Sequence, residues 1–357
     1  MKRFIFLFLL TYFFPSILFA ASDQLSASLY DSIHFAKNGN DVVIEQDTIQ
    51  RALTEGANPN WINPKYKRSN SVLSHFVSLI SSSEDPKVME KGINAIKLLF
   101  EHNARLQYCD GSILFSPIAQ GKYEIVKILL EKGASATFWP KDEIGSDIMP
   151  IEEAIKNGHD SIVELLVTFG AKNMEEKDAI QIRFIEAARF GSLKELNDLV
   201  KKGANVNIKN RQGETALVNA LEGFYGYESY MRVSYLFDLG ADVNLKAKST
   251  FFKGITTPLH QTIRFSSFLY KSTRDKSYAE KLLQDLITKG AFVSSRDEDN
   301  KTPLHIAAEY NHLYAAQILL ESNAKVMDKD KFGKTPLNYA ESGEMINLLK
   351  KYGAKEY

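Results

Sequence analysis

The sequence predicts an all-α solenoid of about nine helix–turn–helix units. The first observation behind this is a spaced dipeptide. Gly-Ala occurs at Gly56, Gly133, Gly170, Gly203, Gly240, Gly290 and Gly353, each time just after an apolar helical run, and Asn-Ala replaces it at Asn103 and Asn323. Successive anchors lie 47, 30, 37, 33, 37, 50, 33 and 30 residues apart. A period of about 33 marks units that bury their apolar faces only by stacking on like neighbours. The second observation is a helix opening, Thr-Pro-Leu, at Thr257, Thr302 and Thr335, in register with those anchors. The third is length: 357 residues exceed one compact core and suit two domains or one elongated array.

The chain begins with a different kind of segment. Lys2 and Arg3 precede Phe4 to Phe19, which is apolar except for Thr11, Tyr12, Pro15 and Ser16. Ala20-Ala21-Ser22 then supplies small residues for cleavage. Residues 1–21 are expected to be a secretory signal peptide. The alternative is a retained membrane anchor over residues 4–20, but the run is short for a spanning helix and Pro15 interrupts it.

The units are expected to end near Asn60, Gln107, Phe138, Met174, Asn207, Asn244, Ser295, Asp328 and Tyr357. The first reads as a degenerate cap, with Phe35 to Asn40 as its inter-helix turn. A first group of units covers residues 22–174 and a second covers 175–357. No hairpin glycine and no Thr-Pro opening lies between Asn173 and Gln181. Either a second array begins near Glu175 or one stack continues; the 33-residue step from Gly170 to Gly203 favours continuity.

The clearest unit runs from Asn300 to Ala324. Thr302 is placed to cap a helix through its hydroxyl, and Pro303 follows where no amide donor is needed. Leu304 should point into the core, and Ala307 and Ala308 let a neighbouring helix approach. Asn311-His312 turns the chain into a second helix with Ile318, Leu319 and Leu320 on its buried stripe. Asn323 takes the left-handed position that Gly occupies in other units.

Thr302-Pro303-Leu304-His305-Ile306-Ala307-Ala308, with the closing Gly-Ala, resembles the ankyrin repeat. Thr257-Pro258-Leu259-His260 repeats the opening, and Thr335-Pro336-Leu337-Asn338 does so with Asn for His. The second-helix pattern is plain from Gly121 to Ala134 and from Gly158 to Ala171. The resemblance covers about residues 25–357. It implies β-hairpin connections between units and a concave surface of hairpin tips and first helices where protein partners dock. It also implies that His260 and His305 hold adjacent turns by bonding backbone.

Three units exceed the 21-residue spacing from Thr302 to Asn323: Ser71 to Asn103, Thr215 to Gly240 and Thr257 to Gly290. The extra residues are expected between the two helices of each unit, on one face of the stack.

Composition narrows function. Lys+Arg and Asp+Glu are both 44, which argues against a general nucleic-acid binder. The single cysteine, Cys109, cannot form an internal disulfide and is expected to be a small buried or hairpin residue. The sequence has no Gly-rich phosphate loop, no His-Glu-x-x-His and no Gly-x-Ser-x-Gly, and its seven histidines show no metal spacing. No cofactor, metal, nucleic acid or small-molecule substrate is expected.

The expected function is a non-enzymatic protein-interaction scaffold, periplasmic or secreted. Its rivals are a membrane-tethered adaptor and a secreted effector acting on host proteins. Candidate partner-binding residues at the hairpins are Trp61, Trp139, Arg211, Arg296 and Asp297, with Asn210, Glu298, Asn300, Asp328, Lys329, Asp330 and Lys331 beside them. Phe224, Tyr225 and Tyr227 in one insertion, and Phe268, Tyr270 and Arg274 in the next, offer interleaved aromatics and cations for a partner.

Overall fold

The structure is a computed structural model that describes residues 23–35, 41–64, 71–108, 113–137, 149–222, 226–249, 251–252, 254–269 and 276–355. The expected signal segment, Cys109, Trp139, Phe224, Tyr225, Tyr270, Arg274 and the side chain of Phe268 lie outside the described residues. Two compact units divide the chain between Asn173 and Met174.

In the first unit, α1 (residues 23–31) pairs with α2 (Gln46–Thr54). Then come α3 (Val72–Ser81) with α4 (Pro86–Glu101), α5 (Phe115–Ala119) with α6 (Tyr123–Glu131), and α7 (Pro150–Lys156) with α8 (Asp160–Thr168). In the second unit, α9 (Glu176–Phe190) pairs with α10 (Leu193–Lys201), and α11 (Ala216–Glu222) with α12 (Tyr227–Asp238). α13 (Pro258–Leu269) and α14 (Lys276–Thr288) follow, then α15 (Pro303–Glu309) and α16 (Leu313–Glu321). A 3₁₀ turn (Pro336–Tyr339) with α17 (Gly343–Lys351) completes nine helix pairs among the described residues.

First helices stack on first helices and second on second. α9, α11, α13 and α15 form one row of the second unit, and α10, α12, α14, α16 and α17 form the other. The core lies between the rows. Leu304, Ala307 and Leu319 are fully buried, as the apolar spacing requires, and Ile318 and Leu320 join them.

The Gly-Ala anchors end the second helices in one way throughout. Gly56, Gly133, Gly170, Gly203, Gly240, Gly290 and Gly353 have φ between 80° and 101°, and Asn103 and Asn323 have φ of 68° and 65°. The following alanine amide bonds back to the carbonyl five residues earlier, as from Ala134 to Leu129 and from Ala324 to Leu319, both 2.9 Å. This left-handed cap satisfies carbonyls that the helix end leaves open. Asn substitutes because its short polar side chain tolerates that backbone region.

Residues 36–40 of the expected inter-helix turn lie outside the described residues; on either side of them β1 (Ile33–Phe35) and β2 (Val42–Ile44) form an antiparallel ladder with Ile33 opposite Ile44 and Phe35 opposite Val42. Its β-branched residues suit a half-buried ribbon, and Ile33 and Val42 are buried. In the long units, extra residues extend the helices themselves. α3 and α4 have 10 and 16 residues, α12 has 12, and α13 and α14 have 12 and 13, against 7 and 9 in α15 and α16. A longer helix satisfies its own backbone, whereas a long loop needs outside partners. Gly92 on α4 permits this at close range, since a Cβ there would sit 2.5 Å from Ile80. Between Asn173 and Gln181, residues from Glu176 onward belong to α9, so that stretch continues into helix.

Candidate interaction surface

Three hairpins of the second unit start with a side chain that closes them. Asn210 Oδ1 accepts from the Glu214 amide at 2.9 Å. Asp297 Oδ1 accepts from the Asp299 and Lys301 amides, both at 2.9 Å, and Asp330 Oδ1 from Phe332 and Lys334 at 2.8 and 2.9 Å. Successive tips are tied by backbone bonds: Lys248 N to Gly213 O at 2.8 Å, Glu298 N to Ile255 O at 3.2 Å, and Lys331 N to Asp299 O at 3.0 Å.

This geometry decides where several candidate residues sit. Asp297 is only 8% exposed; its Oδ2 takes Arg264 Nη2 at 2.7 Å, so both oxygens brace the turn and face inward. Arg296 spans two hairpins, donating to Asn300 O and Lys329 O at 3.0 and 2.8 Å and pairing with Asp328 at 3.3 Å. Arg211 is exposed at its tip. In the first unit, half-buried Trp61 packs edge-on against Tyr30, ring centroids 5.8 Å apart.

The aromatics of α12 largely join the stack. Tyr230 is buried, donates to Asp285 Oδ2 at 2.9 Å and packs 5.7 Å from Tyr278 on α14. Tyr227 remains largely exposed beside the same Tyr278, also at 5.7 Å. Phe265 is buried. The two long units therefore meet through aromatic packing, and among the described residues Tyr227 is the candidate from that group that faces solvent.

The repeated histidines hold adjacent turns. His260 Nε2 donates to Lys301 O at 2.9 Å, and His305 Nε2 donates to Lys334 O at 3.0 Å. A carbonyl only accepts, so each ring is the Nε2–H tautomer and Nδ1 receives. The Thr257 hydroxyl lies 2.7 Å from Nδ1 of His260, and the Thr302 amide 3.1 Å from that of His305. Burial disfavours the charged ring. It pushes His260 down to about 4 and lowers His305 and His75 in the same direction. Asn338 keeps the local bond, its Oδ1 accepting from the Thr335 amide at 2.8 Å, but it has no imidazole ring to carry a second nitrogen.

A further set of residues is not prominent in the sequence. Asn60, Asn207 and Asn244 each bridge to the next unit. Asn207 donates to Gly240 O at 3.0 Å and accepts from Asp242 N at 2.8 Å; Asn244 does the same with Gly290 O and Phe292 N at 2.9 and 2.8 Å. The signal was an Asn four residues after each of Gly56, Gly203 and Gly240.

The other missed feature is a finger. β3 (Ala247–Ser249) and β4 (Gly254–Thr256) pair antiparallel, with Lys248 opposite Ile255. Ala247, Ser249 and Thr256 face inward, while Lys248 and Ile255 are exposed. Ser249 donates to the buried Glu222 of α11 at 2.7 Å, and Gln261 Nε2 of α13 reaches the same carboxylate at 3.2 Å. Arg189 at the end of α9 lies 3.6 Å from Glu222 Oε2. Arg189 also lies over two exposed rings, 5.2 Å from the centroid of Phe190 and 5.5 Å from that of Phe251.

Arg189, Glu222, Arg264 and Glu309 occupy one equivalent position in four successive first helices. Their charges alternate. Arg264 pairs with Asp297, and Glu309 with Lys301 at 2.7 Å. Among the described residues no group of His, Cys, Asp and Glu is placed to hold a metal ion, and no helix is long and apolar enough to cross a membrane.

Paired helices capped by left-handed Gly or Asn, with histidines tying one turn to the next, define a helical repeat scaffold. Residues 272–356 match the family model for ankyrin repeats, with three copies. A mitochondrial disaggregase of Bos taurus is 31% identical over 52% of this chain and 24% of its own length. An ankyrin repeat protein of Acanthamoeba polyphaga mimivirus is 25% identical over 71% of this chain and 30% of its own length. An ankyrin repeat-containing protein of Treponema pallidum (strain Nichols) is 28% identical over 39% of this chain and 45% of its own length. The matches thus span less than half of each of these relatives. Residues 272–356 are thus ankyrin repeats, and the helix pairs before them end in the same left-handed Gly or Asn caps. Such repeats serve as protein–protein interaction scaffolds.

Proposed function

We propose that this protein is an exported, non-enzymatic scaffold that holds a protein partner against the first-helix and hairpin face of its second unit. The observation that carries the reading is the distribution of exposed apolar side chains. Phe190, Phe251, Ile255 and Phe332 all lie at helix ends or hairpins of that unit and remain exposed, as do Tyr227 and Phe292, whereas Phe184, Tyr230, Phe237 and Phe265 are buried. Export rests on the basic start, apolar run and small residues of the first 22 positions. Delivery to the periplasm or the medium follows from cleavage, and tethering from retention of residues 4–20.

A photo-crosslinking residue placed at Phe251 is expected to trap a protein in the native compartment, and one at Lys201 on α10 is not. Equal trapping at both positions, or at neither, rejects the docking face. Mass spectrometry of the same material reads the mature start. A terminus near Ala21 or Ser22 supports release, and an intact residue 1 supports tethering.

A further inference from the structure

The finger and the end of α9 build a patch of mixed character. Phe190 is 63% exposed and Phe251 is 59% exposed, and the guanidinium of Arg189 lies against both rings. Phe251 is held there by Phe265, its centroid 5.4 Å away at an interplanar angle of 77°. The Lys248 amide is bonded to Gly213 O, which brings the finger beside the tip that carries Arg211. Lys209, Arg211, Lys246 and Lys248 are exposed in these two neighbouring connections.

Of the neighbouring carboxylates Asp242 and Glu298 are exposed, against four exposed cations, and the others are half-buried or buried. Glu214 is half-buried and accepts from Asn210 Nδ2 at 2.7 Å. Asp242 uses Oδ1 for the Asn244 amide at 2.8 Å, and Glu298 Oε2 takes the Ile255 amide at 3.0 Å. Glu222 lies beneath the patch, buried, and shares its carboxylate among Ser249, Gln261 and Arg189. Half-buried Glu186 sits one turn before Arg189 on α9. The exposed surface of the patch is therefore cationic around two open phenyl rings.

We propose that this patch docks an acidic peptide segment carrying an aromatic side chain, which packs beside Phe190 and Phe251 while its carboxylates meet Lys248, Arg211 and Arg189. The assignment deepens the scaffold reading and depends on it. Two exposed rings sharing one guanidinium leave aromatic edges and faces open to a third ring. The ring of lysine and arginine selects the sign of what approaches. Single-stranded nucleic acid also combines negative charge with planar groups. The chain's zero formal charge disfavours a general nucleic-acid binder and so favours the peptide.

The test uses the full chain and a fluorescein-labelled peptide of alternating aspartate and phenylalanine, read by fluorescence anisotropy. Control peptides carry lysine for aspartate, or alanine for phenylalanine, and a labelled oligothymidine is the nucleic-acid arm. The acidic aromatic peptide is expected to bind at least tenfold more tightly than each control, and more weakly as salt rises. The pair Arg211→Glu and Lys248→Glu should lose that binding at least tenfold and turn the preference toward the lysine peptide. The pair Phe190→Ala and Phe251→Ala should lose it with an unchanged melting temperature, because both rings are mainly exposed. Undetectable binding, equal binding of the control peptides, tighter binding of oligothymidine, or unchanged binding by both variants overturns the proposal. Crosslinks from Phe251 that persist while the acidic peptide fails reject the peptide class alone. Loss of the crosslinks with peptide binding intact rejects the scaffold reading.

Discussion

A buried histidine with both ring nitrogens committed is a stability element that titrates. His260 contacts Thr257 through Nδ1 and the next turn through Nε2, and its pKa falls to about 4 from 6.5. Asp297 nearby favours the charged ring, while Arg264 and Lys246 oppose it. The folded state therefore binds fewer protons than the unfolded state between those two values. Stability is fully present above pH 6.5 and is lost as pH falls toward 4. Urea unfolding at pH 5 should give a stability about 2 kcal/mol below that at pH 7.5. His260→Gln should flatten that slope, and an unchanged slope rejects the linkage. Leu304 offers a simpler check at this scale. It is fully buried, so Leu304→Ala should cost about 2–5 kcal/mol. Unaltered thermal unfolding of that variant contradicts its place in the core.

At the scale of the element, the caps and the asparagine bridges repeat with the units. Gly133 has φ of 97°, and a Cβ there would meet nothing within 4 Å. The cost of Gly133→Ala is thus conformational, about 1 kcal/mol. Gly133→Asn should cost less, since Asn103 and Asn323 fill the same role. Equal costs, measured by chemical denaturation, remove the left-handed backbone as the explanation. Asn207→Ala breaks a two-bond bridge to the following unit and should cost about 1–3 kcal/mol. The loss should appear in hydrogen exchange at the Gly240–Asp242 connection before it appears elsewhere.

At the scale of the whole molecule, stability in each compact unit is a sum over neighbours, because first helices touch chiefly the first helices on either side. Leu304→Ala should therefore lower amide protection first in α13, α14 and α17, the elements stacked beside its own pair. Protection lost uniformly from residue 23 to residue 355 would show a single all-or-none cooperative unit instead.

The repeat, the caps and the core were legible in the sequence because each depends on local chemistry at a fixed spacing. A left-handed backbone asks for Gly or Asn, a helix start asks for Thr-Pro, and a buried stripe asks for Leu and Ala at helical intervals. The inward role of His260 was legible too, because it recurred in register with the Thr-Pro opening. Tertiary structure alone decided which polar and aromatic side chains were spent on the fold. Asp297 looks like any charged tip in sequence, yet a turn of five residues draws both of its oxygens inward. The extra residues of the long units became helix because helical backbone satisfies itself. Phe251 became a surface feature because Ser249 and Glu222, 27 residues apart in the chain, fix the finger that carries it. Exposure is set by what neighbouring units cover, and no local pattern encodes that.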